Sequence, residues 1–285
     1  MNKFSRLRTF LQEVYQIWVS ERPSQLAAAL AYFGIFSFAP VIYFAYWVAS
    51  LFINGVAAAE RLYTRLEAVL GAETAAFIKD SVAAISSANT GGSWIITLIS
   101  LGTLLFAAMG LFLQIKYALN RVWGIPPIPP GGRFDFLKRQ LFAFIMLIAL
   151  GLLVILATLV NLVFAWFGTI VQYYLGRGNL LTVFNMLALF GLIILAFAFV
   201  YKVLPDLKVA WRDVWLGSIT AATLTVLGGV LIGLYFSLGG VGSAFEAAGA
   251  FAVLMIAIYF FAQIFLLGAV ITRVYAREYG SKRTG

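Results

Sequence analysis

The sequence contains neither cysteine nor histidine. Without thiols the chain forms no disulfide and no redox dithiol. Without imidazole it lacks the commonest metal ligand, a haem ligand and a histidine acid–base. Charge is the second scarcity: Asp, Glu, Lys and Arg make up only 11% of the 285 residues, where a soluble domain carries about 25%. No HExxH, GxSxG or phosphate-loop pattern occurs, and no paired intramembrane aspartates. The expectation is therefore a chain that is not an enzyme, with no metal, no cofactor and no nucleic-acid partner. What fills the sequence instead is apolar, with 63% hydrophobic residues and a mean hydropathy of +0.97. A single aqueous core cannot hide that much apolar surface, so the expected class is an all-α, polytopic membrane bundle with the bilayer as solvent.

Transmembrane helices need about 20 apolar residues free of unpaired charge. The charge-free runs predict six spans in one integral-membrane domain over 1–285, at about 27–53, 94–115, 140–167, 180–203, 214–237 and 247–271. The 20 Lys and Arg then divide sixteen to four between the two sides of the membrane. By the positive-inside rule both termini are expected to be cytoplasmic. Tryptophan agrees: Trp18, Trp123, Trp211 and Trp215 fall at the inner interface, Trp47, Trp94 and Trp166 at the outer one. The first residues are amphipathic and charged, which does not fit a cleavable signal peptide.

Residues 1–26 form a cytoplasmic amphipathic segment in which Phe4, Leu7, Leu11, Val14 and Trp18 recur at helical spacing. It either lies in the headgroup region of the bilayer or packs on the protein's own cytoplasmic face. Segment 54–93 is read as a helical hairpin on the outer surface, closing with Asn89-Thr90-Gly91-Gly92. Residues 124–133, with four prolines, make a stiff connector.

No ionisable side chain falls at mid-membrane, which argues against a proton pump. Uncharged polarity remains. Asn161, Asn185, Glu246 and Gln263 are candidates to line a cavity, the alternative being that such amides only glue helices together. Arg121, Lys202, Lys208 and Arg212 are candidates to meet phosphate headgroups at the inner surface, the alternative being that they only orient the chain. In span five Gly217, Ala221, Thr225, Gly229, Gly233 and Ser237 recur every four residues as a small-residue packing stripe. Pro40 in span one favours a kink, and Pro205 should end span four.

Several stretches carry a family likeness. Leu26-Ala27-Ala28-Ala29-Leu30-Ala31-Tyr32-Phe33 with Ser37-Phe38-Ala39-Pro40 resembles the opening helix of the YihY/BrkB family of bacterial inner-membrane proteins. Leu119-Asn120-Arg121-Val122-Trp123-Gly124, Tyr201-Lys202-Val203-Leu204-Pro205-Asp206, Val209-Ala210-Trp211-Arg212-Asp213 with Gly217, and Leu266-Leu267-Gly268-Ala269 match it in the same order. One departure is Val270, where the family often has an acid. The resemblance implies a six-span inner-membrane protein bound to phospholipid. Members have carried the label ribonuclease BN, which needs a metal site that a histidine-free chain does not supply. The family's association with virulence and envelope phenotypes implies transport of a lipid or other envelope molecule, or a non-transporting scaffold for lipids or proteins.

Overall fold

A computed structural model describes residues 3–50, 63, 64, 67, 75, 76, 79, 80, 110–126, 141, 145, 152, 178–237 and 246–281. Every regular element among these residues is a helix. In chain order they are α1 (Lys3–Glu21), α2 (Pro23–Ser50), α3 (110–122), α4 (Gly178–Val203), α5 (Trp211–Ser237) and α6 (Glu246–Glu278). The expected third span, the outer hairpin beyond a few helical residues, the proline-rich connector past 126 and Asn161 lie outside the described residues.

Among the described residues three helices are long and apolar enough to cross a membrane: Val183–Val203, Trp211–Ile232 and Ala252–Glu278. Their outward faces stay apolar, with Phe184, Met186 and Leu187 on α4, Leu227, Val230 and Leu231 on α5 and Ile256 on α6 all exposed. Apolar faces of this extent call for lipid rather than water. α2 is also an uninterrupted helix, free of charge and running through Pro40 to Ser50. Just before the proline, Ser37 donates to the carbonyls of Phe33 and Gly34, a back-bond that relieves a polar group on the buried face.

The helix ends differ from expectation by a few residues, for local reasons. The N-terminal segment is two-part, because Pro23 cannot continue a helix and restricts the residue before it. Arg22 takes up the break with φ +48, in the left-handed region. At the other end α6 continues seven residues past the expected 271, because its Arg273 is paired within the protein and need not leave the helix.

α6 is the central helix, touching α1, α2, α4 and α5. Its tightest partner is α5. A Cβ at Gly217 would overlap Thr272 Oγ1 and the Gly268 carbonyl. A Cβ at Gly268 would stand 2.8 Å from Ala221 Cβ and 2.9 Å from the Gly217 carbonyl oxygen. Further along, Gly228 faces Phe260 at 2.7 Å. The face packed on α6 is thus Gly217, Ala221 and Gly228. No described heavy atom lies within 4 Å of a Cβ placed at Gly229. A straight helix turns about 100° per residue, so a four-residue series walks off its face by roughly 40° per step. By Gly229 it has left α6 altogether. The side-chain surroundings of Gly233 lie outside the described residues.

Candidate functional site: the charged end of the bundle

Most of the described charges gather at one end of the bundle. Here the end of α1, the start of α2, the end of α3, the 204–210 turn, the start of α5 and the end of α6 meet. Sequence explains the geometry from α3 outward. Gly124 has φ +70, and around it Gly124 N–H donates to Arg121 O and Ile125 N–H to Asn120 O, each at 2.9 Å. This is the glycine-dependent double bond that closes a helix C-terminus. It leaves the Val122 carbonyl without a backbone donor. Arg273 of α6 supplies one through Nη1, placing a cation at the negative end of the α3 dipole. A Cβ on Gly124 would stand 3.0 Å from Arg273 Nη2, so the glycine serves the turn and the close approach together.

Arg273 is almost fully buried, and Glu21 is its counter-charge at 3.2 Å. Glu21 also faces Arg121 at 3.6 Å. One carboxylate therefore ties α1, α3 and α6 together. A second knot joins α3 to the turn after α4. Asp206 Oδ1 lies 2.7 Å from Lys116 Nζ, and Asp206 Oδ2 accepts from Asn120 Nδ2 at 2.8 Å. The Asp206 N–H in turn donates to Asn120 Oδ1 at 2.9 Å. Lys116 and Asn120 are four apart, so both face one way from α3. Pro205 is buried and ends α4 as expected, fixing Asp206 for this pairing.

A third knot closes α5 on α6. Asp213 is fully buried in the first turn of α5, accepting from the backbone N–H of Ser281 at 3.2 Å and from its hydroxyl. Deeper in, Tyr201 donates to the Phe265 carbonyl at 2.7 Å from a wholly buried ring. On α1, burial raises the pKa of Glu13 above the ordinary carboxylate range. A hydrogen bond with Glu278 raises it further, and Arg277 and Arg273 pull the other way.

The four basic candidates all sit at this end, in different states. Arg212 is exposed and only grazes Asp213 at 3.7 Å, Lys208 is exposed, and Arg121 is half-exposed beside Glu21. Lys202 is engaged, donating to Val209 O at 2.8 Å with its ammonium 5.2 Å over the Trp211 ring. Trp211 and Trp215 are exposed beside them, whereas Trp123, at the same end, is buried in the core. The two polar candidates whose side chains are described, Asn185 and Gln263, lie apart. Gln263 is half-buried at the depth of Tyr201, and Asn185 lies sixteen residues up α4, roughly 24 Å away along the axis. Glu246 opens α6 at the far end, its side chain outside the described residues.

Sequence reasoning missed Glu21, Asn120 and Arg273 as working residues. The available signal was Arg273 itself, one cation at the end of an apolar run, and the Asn-Arg-Val-Trp-Gly close of α3.

A bundle of apolar-faced helices with its charges collected and knotted at one end defines a helical integral-membrane protein. Within that class the assignment is specific: the family model for Virulence factor BrkB matches residues 14–285, and the chain belongs to that family. No curated protein and no solved structure matches it.

Proposed function

We propose that the chain is a bacterial inner-membrane protein with six spans and both termini cytoplasmic. In this reading it moves a lipid or other anionic amphiphile of the envelope between leaflets, as a transporter or flippase-like protein, without covalent chemistry. The supporting observation is the surface of the charged end. Arg121, Lys208 and Arg212 stand exposed beside Trp211 and Trp215, at the ends of helices built to cross a bilayer. Guanidinium forks and an ammonium next to indole rings suit a phosphate headgroup whose chains remain in lipid. Purified protein in vesicles carrying fluorescent phosphatidylglycerol tests this. Bleaching by an impermeant reductant should pass beyond the outer-leaflet share, and Arg121→Gln with Arg212→Gln should slow it.

The second reading is a non-transporting scaffold that binds lipids or partner proteins. Its support is the α5–α6 contact, where Gly217 and Gly268 leave no room between backbones. Bleaching confined to the outer leaflet, with phospholipid co-purifying at the charged end, selects the scaffold.

A further inference from the structure

The exposed half of α1 has no role in the knots of the charged end, and its residues fall into three sectors rather than two. Phe10, Val14, Ile17 and Trp18 pack on the core. Thr9, Gln12, Gln16 and Ser20 are exposed and uncharged. Between these sectors lies a third, with Leu7 56%, Leu11 57%, Tyr15 69% and Val19 56% exposed. At about 100° per residue these four side chains advance roughly 40° per step and cover a sector about 120° wide. A helix that only covered the protein's aqueous face would be polar there.

Charge on α1 is sorted in the same way. Both acids turn toward the protein, Glu13 to Glu278 and Glu21 to Arg273 and Arg121. Among the described residues the exposed charges of the N-terminal half are Arg6 and Arg8; Arg8 lies inside the angular range of the apolar sector and Arg6 on the opposite side of the helix. A long aliphatic stem ending in a guanidinium suits that position if the sector lies in acyl chains and the head reaches phosphate. Continuity fixes the depth. α1 ends one residue before α2, and the Phe10 ring lies 6.5 Å from Tyr279 at the end of α6. The helix therefore lies where membrane-crossing helices emerge.

We propose that α1 is a membrane-surface docking element whose Leu7–Leu11–Tyr15–Val19 sector inserts into the leaflet at the charged end, with Arg8 on anionic lipid phosphate. The helix is held against the bundle through Phe10, Val14, Ile17 and Trp18. This inference needs only that the chain is a membrane protein and stands whether or not it transports.

The absence of cysteine makes the test direct. Single cysteines at Leu11, Tyr15 and Gln16 in the full chain carry a nitroxide, and all three positions are exposed, so the packed face is untouched. The protein is placed in vesicles of phosphatidylcholine with and without phosphatidylglycerol. The ratio of collisions with oxygen to collisions with a water-soluble nickel chelate should be several-fold higher at Leu11 and Tyr15 than at Gln16. Phosphatidylglycerol should raise it at Leu11, and Arg8→Gln should remove that rise. Equal ratios at the three positions overturn the proposal. Exclusion of both reagents from Leu11 and Tyr15 also overturns it, since a protein then covers the sector. A ratio indifferent to phosphatidylglycerol overturns the assignment to anionic lipid.

Discussion

At the scale of single residues the decisive feature is that buried charge is compensated from distant parts of the chain. Arg273 meets Glu21 and the Val122 carbonyl, partners 252 and 151 residues away. Removing one member of such a pair strands the other, at a cost of about 3–5 kcal/mol. Arg273→Ala should therefore lower the melting temperature in detergent more than any exposed arginine does. The Arg273→Ala, Glu21→Ala double variant should lose clearly less than the sum of the single changes. Glu13 carries the opposite logic. Its raised pKa means that the folded protein prefers the protonated carboxyl. That contribution is complete below the ordinary carboxylate pKa and is lost as pH rises through the raised value. Hydrogen exchange in α1 should accordingly quicken as pH rises through that raised value, and Glu13→Gln should flatten the dependence. None of this was legible in the sequence. There Arg273 counts as one more positive charge at the end of a span, because pairing across more than a hundred residues leaves no local periodicity.

At the scale of elements the helices were legible and their contact faces only partly so. Apolar runs longer than a bilayer's thickness announce helices 4, 5 and 6 whatever they touch. Which face of α5 meets α6 depends on the true helical turn, and a visual repeat of four misreads it. Two substitutions separate the readings. Gly217→Leu should destabilise the bundle by ~1–3 kcal/mol, since Thr272 and the Gly268 backbone have nowhere to go. Gly229→Leu should leave the melting temperature nearly unchanged, because its Cβ position is open among the described residues. Equal losses from both would restore the straight stripe of six small residues.

At the scale of the whole molecule the distribution of charge carries the most information. Composition alone points to a membrane chain, and the proposed six-span topology divides the basic residues sixteen to four, which would place both termini in the cytoplasm. Reporter fusions at Gly285 should accordingly be active when the reporter works in the cytoplasm and silent when it requires export. The structure adds that α1 and the close of α6 share one end, through Phe10 with Tyr279 and Glu21 with Arg273. The candidate polar cavity was beyond reach of sequence for a simple reason. Hydropathy gives the depth of Asn185 and Gln263 poorly, and it says nothing of which helices are neighbours.

The long reach of Arg273 also has a consequence in time. A ribosome adding about 5–20 residues per second takes roughly 8–30 s to pass from Val122 to Arg273, a separation of 151 residues. Throughout that interval the nascent chain already holds Glu21 and the capped end of α3, but not the cation that joins them. Vectorial synthesis thus makes the last helix the keystone. The ion pair and hydrogen bond that join α1, α3 and α6 therefore form only after α6 has been made.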